Sequence, residues 1–398
     1  MITFELSEQQ KQIKEMTHWF AANEIRPISL EADRLGYVPE DWLEKVNKMG
    51  IQLNTTSLSS NSGESSKKER EGNRMGVIAT EEIAWGDPAI ALSLPGAGLG
   101  GPPIQSSGTK EQQERFLSIF KDDKARWGAY ALTEPEAGSD ASAIQLQAKR
   151  VDGGYLLNGQ KIFITNGKRA SWVVVFATID PTMGRAGQRA FVVEKGMEGF
   201  SYPHLAQKMG LRANETAELL FEDCFVPLEN LLGGEALYEQ TNSGQSGFST
   251  AMKTFDSTRP IVASMATGIA RAAYEYTLNI VKSEYPKQSH LLHQATDLLA
   301  EMASQISAAR LLTYEAAWKA DLGLANAKEA AICKAYAGEM SLKVCSQALE
   351  LLGPTGIQGH IVEKLYRDAK VFDIFEGTNE IQHLVIARRA FEPFGLRI

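Results

Sequence analysis

Asp152-Gly153-Gly154-Tyr155-Leu156-Leu157-Asn158-Gly159-Gln160-Lys161-Ile162-Phe163-Ile164 is the stretch that decides the fold class. Two short apolar runs, Tyr155-Leu156-Leu157 and Ile162-Phe163-Ile164, alternate with Gly- and Asn-containing pairs. Gly and Asn accept the positive φ that tight hairpins demand, so the pattern predicts hairpin turns at Asp152-Gly153-Gly154 and at Asn158-Gly159. Further strands are predicted at residues 172–177, 190–194 and 219–221. Residues 128–242 therefore read as a β domain.

Outward from this core the period changes from two to 3.6. Residues 1–127 carry apolar side chains at helical spacing, as in Ile13, Met16 and Phe20 and again in Trp42, Val46 and Met49. A polar run over residues 55–73, rich in Ser and followed by Lys67-Lys68-Glu69-Arg70-Glu71, predicts a solvated loop. Beyond the β domain, residues 243–398 predict long helices. One stripe is Ile261, Met265, Ile269, Ala272, Tyr276 and Ile280, and the next is Leu299, Met302, Ile306 and Ala309. Asn326 with Glu329 resembles a capping box opening a third helix, and a last helix starts near Asn379 with Gln382 three residues on. The order is an N-terminal helical domain, a central β domain and a C-terminal helical domain, an α+β multidomain chain.

Bulk properties narrow the function. The 398 residues with 43% hydrophobic content can bury large cores. A net charge of -8 argues against a nucleic-acid footprint, which needs clustered Lys and Arg. No run reaches the eighteen or so apolar residues of a membrane span, and the first residues lack a basic then apolar signal pattern, so the expectation is a cytoplasmic protein. Cys224, Cys333 and Cys345 lie far apart without CxxC spacing, which predicts buried free thiols and no metal cluster.

Two loops carry candidate chemistry. Tyr130-Ala131-Leu132-Thr133-Glu134-Pro135-Glu136-Ala137-Gly138-Ser139-Asp140 turns through Pro, Gly and Ser, and either offers backbone N–H groups and small hydroxyls to a ligand or is a surface turn. Phe375-Glu376-Gly377-Thr378-Asn379-Glu380 sets a carboxylate between an aromatic residue and Gly at a helix start. Such a Glu is either a favourable helix-dipole partner or a general base whose pKa apolar neighbours have raised.

Several segments in order decide between these readings. The two loops, Asn158-Gly159-Gln160-Lys161-Ile162-Phe163-Ile164-Thr165-Asn166-Gly167, Phe221-Glu222-Asp223-Cys224-Phe225-Val226-Pro227, Phe255-Asp256-Ser257-Thr258-Arg259-Pro260 and Val362-Glu363-Lys364-Leu365-Tyr366-Arg367-Asp368-Ala369-Lys370 together resemble the acyl-CoA dehydrogenase family along nearly the whole chain. The resemblance implies that family's helical, β-barrel and four-helix-bundle domains and a cleft holding FAD against an acyl-CoA. It implies that Tyr130, Leu132, Thr133, Phe163, Thr165 and Thr378 bind the flavin, that Gly138 and Ser139 lie near its pyrophosphate and CoA, and that Phe255, Asp256, Arg259 and Gly377 serve the substrate. Glu376 matches the family's base, and Thr258 holds the position where some members carry a Glu instead. The implied reaction is α,β-dehydrogenation to a 2,3-enoyl-CoA, with electrons leaving through an electron-transferring flavoprotein. Related oxidase or reductase chemistry and a non-catalytic scaffold subunit are the alternatives.

The pattern breaks in three places. Where the family has Arg-x-x-Phe-Gly reaching a neighbouring subunit's FAD, this chain has Ser283, Pro286 and Lys287, and its Gln is replaced by Glu350. The changes suggest either an unlike partner subunit, as in α2β2 members, or a homo-oligomer with rearranged FAD binding. Leu94-Pro95-Gly96-Ala97-Gly98-Leu99-Gly100-Gly101-Pro102-Pro103 lies where the family lines the acyl chain, so its glycines either admit a wide acyl group or only build tight turns.

Overall fold

The computed structural model describes residues 2–51, 71–239, 247–285 and 290–394. The N-terminal helices are α1 (Glu8–Phe20), α2 (Ser29–Leu35), α3 (Glu40–Lys48), α4 (Gly72–Gly86), α5 (Pro88–Ser93), α6 (Gly101–Ser107) and α7 (Lys110–Leu117). Ser7 and Gln10 cap α1 reciprocally, as Thr109 and Gln112 cap α7. Of the positions that set the helical period, Phe20 and Val46 are buried, whereas Met16 and Met49 face outward. Most of the polar run, residues 52–70, lies outside the described residues, while Asn73 already belongs to α4.

The middle of the chain forms β1 (Gly128–Ala131), β2 (Gln147–Val151), β3 (Gly154–Thr165), β4 (Trp172–Thr178), β5 (Gln188–Glu194), β6 (Phe200–Ser201) and β7 (Thr216–Pro227). They make one curled sheet in the order β1-β4-β2-β3-β7-β6, with β5 on the other edge of β4. The pairing runs as an open path. Strand β4 is buried on both faces, which is why Trp172-Val173-Val174-Val175-Phe176-Ala177 shows no polar alternation. Trp172, Val174 and Phe176 enter the core facing the helices, and Val173, Val175 and Ala177 enter the opposite one. Each buried Val or Phe among them contributes about 1.5–3 kcal/mol.

The turn expected at Asp152-Gly153 closes the β2–β3 hairpin, with Val151 opposite Gly154. Asn158-Gly159 is not a turn. It lies inside β3 as a bulge, where the register against β7 shifts between Leu157 and Gly159. Asn158 and Asp223 bond each other across the bulge at 2.9 and 2.8 Å. A Cβ on Gly159 would meet Leu146 Cα at 3.0 Å, so the glycine answers a close approach and not a chain reversal.

The C-terminal helices are α8 (Gly234–Glu239), α9 (Gly247–Glu284), α10 (His290–Asp321), α11 (Ala327–Leu352), α12 (Ile361–Ala369) and α13 (Asn379–Phe391). Helices α9, α10 and α11 bury Met265, Ile269, Met302, Ile306, Met340 and Val344 together. The α10 stripe is buried as expected, but on α9 the stripe drifts and Tyr276 is 38% exposed, its ring set edge-on against His360. Asn326 caps α11 without a side-chain bond. Its amide donates to Ala316 O at 3.2 Å and Glu329 pairs with Lys319, so the capping box is absent. Among the described residues no helix is long and apolar enough to cross a membrane. All three cysteines are buried and free.

A wholly buried ionic cluster joins the three regions. Lys364 on α12 pairs with Asp87 at 2.6 Å and Asp368 at 2.5 Å, all three at 0% exposure. Asp87 caps α5 through Ala89 N and Ile90 N, and Asp368 accepts Leu211 N at 2.6 Å.

Candidate active site

The α12 helix ends in a tight 3₁₀ turn at Lys370–Asp373, and the chain then passes through Glu376 at φ +58° and Gly377 at φ +89° before α13 begins. Thr378 caps α13 by accepting Ile381 N. Left-handed φ is unusual for Glu and persists only where the surroundings hold it. Here the Gln382 amide donates to Glu376 O at 3.1 Å and Gly377 O at 2.9 Å. From α11 the Lys334 ammonium donates to Gly377 O at 2.8 Å and Asn379 Oδ1 at 3.2 Å.

The Glu376 carboxylate faces α9. Thr258 Oγ1 donates to its Oε2 at 2.8 Å. Burial pushes the carboxyl above its ordinary range, while the Thr258 bond and the cations of Arg259 and Lys334 pull it back. Arg259 is itself buried, pairs with Asp256 at 2.9 Å and lies 5.8 Å from the Phe255 ring centroid. The Phe255 ring sits 5.9 Å from Tyr130 at the end of β1. Among the described residues the buried Tyr130 hydroxyl has no partner, and its ionisation is suppressed by burial and by the Glu376 charge. Tyr130, Phe255, Asp256, Thr258, Arg259 and Glu376 are thus brought together from three elements far apart in sequence.

A second group follows from β1. The loop after Ala131 is staked from below by Lys161, whose ammonium donates to Leu132 O at 2.8 Å and pairs with Glu134 at 2.7 Å. Glu134 in turn accepts Gln145 N and Leu146 N, and Ile162 N donates to Thr133 O. This fixes Thr133 beside β3, where a second register shift puts Phe163 at φ +58° and 65% exposed. Thr165 is half-buried, and Gly138 and Ser139 are exposed at the loop tip with open space at the Gly138 Cβ position. Among the described residues no hydrogen bond joins Ser139 to the Glu376 group. Leu132 is 5% exposed and packs into the core under the sheet, so its side chain does not line a cleft and only its backbone remains for a ligand.

Gly98 and Gly100 are spent on packing. A Cβ on Gly100 would meet Ala129 O and Trp172 Cζ3 at 2.5 Å, and one on Gly98, at φ +51°, would meet Gly128 O at 3.1 Å. They let the chain lie against β1, which favours the tight-turn reading of these two glycines. Ser283 is exposed, its hydroxyl bonded to Asn279 O and Ile280 O of its own helix, and Glu350 is exposed. Pro286 and Lys287 lie outside the described residues.

Sequence reading missed Lys334 and the brace role of Lys161. A signal existed for the first. Lys334 falls in phase with Ala330, Ala331 and Ala337 on the buried face of α11, where a lone cation needs acceptors.

Models of the acyl-CoA dehydrogenase N-terminal, middle and C-terminal domains match residues 7–120, 129–224 and 245–391. The chain therefore belongs to the acyl-CoA dehydrogenase family, whose members are oxidoreductases. It is 36% identical to the short-chain-specific acyl-CoA dehydrogenase of Clostridium acetobutylicum, covering 98% of this chain and 99% of that one. It is also 36% identical to the caffeyl-CoA reductase-Etf complex subunit CarC of Acetobacterium woodii, over 96% and 98% of the two chains. The solved butyryl-CoA dehydrogenase of Megasphaera elsdenii superposes with a TM-score of 0.88 at 34% identity, covering 98% and 100%.

Proposed function

We propose that this protein is an FAD-dependent enzyme that dehydrogenates an acyl-CoA across its α and β carbons. The observation that carries the reading is Glu376 on its left-handed turn, with Thr258 on one carboxylate oxygen and Tyr130, Phe255 and Arg259 around it. FAD is the cofactor of this family. The residues present fit its ring half: Phe163 offers an exposed aromatic face, Thr133 and Thr165 stand beside it, and the Tyr130 hydroxyl lacks a partner. Bound there with Leu132 backbone, Gly138, Ser139 and Thr378 near it, FAD would accept a hydride from the substrate β-carbon.

The protein's own part is the proton. A thioester α-hydrogen is weakly acidic, and desolvation keeps the Glu376 carboxylate basic enough to take it while Thr258 keeps it ionised and aimed. The Glu376 N–H, turned out by the left-handed backbone, has no acceptor among the described residues and is free to meet the thioester oxygen as negative charge develops. The α C–H pair goes to the new C=C bond, the proton to Glu376, and a 2,3-enoyl-CoA results. Asp256, Arg259, Gly377 and Ser139 are the residues we assign to the CoA and acyl ends. The reverse reduction uses the same groups, and the CarC relative, named as part of a reductase-Etf complex, supports an electron-transferring flavoprotein as the electron partner.

The ADP half of the cofactor is the finer question. Ser283, spent on its own helix, and the exposed carboxylate of Glu350 offer a phosphate no cationic partner. We read an unlike subunit as the source of those contacts, with domain limits at residues 1–127, 128–242 and 243–398. Mixing the FAD-loaded protein with an acyl-CoA panel, from butyryl-CoA to an aryl-substituted propanoyl-CoA, without oxygen tests the reaction. Flavin absorbance should bleach in the wild type and bleach at least about 100-fold more slowly in Glu376→Gln, since general-base catalysis contributes roughly that much. A Glu376→Gln rate above about a tenth of wild type would remove the base assignment.

A further inference from the structure

We infer that Lys334 is a positioning residue for the base: from beneath the turn it clamps the Gly377 carbonyl and fixes the left-handed backbone from which Glu376 projects. The inference rests on the assignment of Glu376 as base. Lys334 is 1% exposed on the apolar face of α11. Among the described residues no carboxylate lies within ion-pair distance of its ammonium, which is committed to Gly377 O at 2.8 Å and Asn379 Oδ1 at 3.2 Å. Burying a cation is costly unless its donors are taken up. What takes them up is the turn itself.

The clamp has a second arm. Gln382 donates to the carbonyls of both Glu376 and Gly377, so Gly377 O receives two donors from different helices. Two successive left-handed residues, one of them not Gly, need such overdetermination. If the carbonyls are released, the 376–377 peptides are free to rotate. The carboxylate then leaves Thr258, and the Glu376 N–H loses its direction. Electrostatics adds to the geometry. The charged and titratable groups facing Glu376 are Arg259 from α9, Lys334 from α11 and Tyr130 from β1, and both cations favour the ionised carboxylate. Around Lys334 itself stand Asp373, Glu376 and Glu380, with Arg259 opposing, and burial brings its pKa down to about 8.

The experiment compares Lys334→Met, Lys334→Gln and Gln382→Leu in the full-length, FAD-loaded protein. It follows kcat and KM against pH, together with amide hydrogen exchange over residues 371–382. In Lys334→Met, kcat should fall about tenfold or more while KM changes by less than about threefold, because the lost term acts in the transition state. Its acid limb should move to higher pH, since one of the two cations favouring ionised Glu376 is gone. Exchange over residues 371–382 should quicken. Lys334→Gln keeps a donor and loses the charge, so it should recover most of the plateau and keep the shifted limb. Wild-type plateau, limb and exchange in Lys334→Met would overturn the inference. Should Lys334→Met fail to accumulate, Gln382→Leu decides: a lowered plateau with an unmoved limb supports the clamp, and an unchanged plateau refutes it. An active Glu376→Gln enzyme would instead sink the base assignment, while the exchange data would still report on the clamp.

Discussion

Replacing Thr258 with Val tests the electrostatic tuning of the base. Val keeps the branched shape in the buried α9 position and removes only the hydroxyl that donates to Glu376 Oε2 at 2.8 Å. That bond lowers the carboxyl pKa against the larger raising effect of burial. A hydrogen bond to a charged group is worth about 1.5–3 kcal/mol, and the lower end applies because Glu376 is only partly covered by protein. About 1.5 kcal/mol corresponds to about tenfold in the ionisation equilibrium. The sign follows from which form works. Only ionised Glu376 accepts a proton, and losing the donor raises its pKa further, so less of the active form exists at acidic pH. On the acid limb of kcat, Thr258→Val should therefore run about tenfold below wild type, converging with it on the alkaline plateau, where both carboxylates are ionised. Stopped-flow flavin reduction at closely spaced pH values gives both limbs. Superimposable profiles would refute the reasoning, and a uniform drop at all pH values would show that Thr258 acts by aim and not by charge.

Three further outcomes follow from the structure. Lys364→Met should cost about 3–5 kcal/mol in chemical denaturation, because it leaves Asp87 and Asp368 buried without a cation; the deficit should shrink at acidic pH, where Asp368, its carboxyl raised by burial, can be neutral, and a loss below about 1 kcal/mol would contradict it. Gly98→Leu should impair straight and bulky acyl-CoA substrates alike and lower stability, since its φ of +51° and the nearby Gly128 O reject a side chain, whereas selective loss of bulky substrates would restore the wide-pocket argument. The protein purified alone should hold less than one flavin per subunit and gain flavin when co-expressed with its genetic neighbour, and a stoichiometric, tightly held FAD in the lone chain would rule out the unlike subunit.

What the sequence made legible was period and order. The switch from 3.6 to two and back located the helical, β and helical regions, because one-sided burial leaves its mark on α10 and on the ends of β3. Where burial is two-sided, as in β4, the alternation vanished and only the length and β-branching of the run pointed to a strand. Asn158-Gly159 shows the opposite failure. The same dipeptide chemistry serves a turn or a bulge, and only the partner strand, through Asp223, decides which. At the site, Glu376 was legible through its Phe-Glu-Gly-Thr setting, yet its partners were not. In the sequence Thr258 marks only a place where a rival Glu is missing, and in the structure its hydroxyl donates to Glu376. Gly98 and Gly100 could not be read because their reason is a backbone and a Trp172 ring distant in sequence.

The two sides of the site are built by the same device. Phe163 and Glu376, the proposed aromatic face and the proposed base, both sit at φ +58°, a conformation that bulky or charged side chains seldom adopt. Beside each lies a buried lysine that donates to a main-chain carbonyl of the adjoining loop: Lys161 to Leu132 O and Lys334 to Gly377 O. Burial lowers both lysines to about 8. A lysine whose folded pKa lies below its unfolded value is bound to more protons when unfolded, so each charged lysine opposes folding at neutral pH, and that opposition fades as pH rises above about 8. Lys161 thus holds the loop after β1 and Lys334 the turn that carries Glu376, each at a desolvation cost that its acceptors offset.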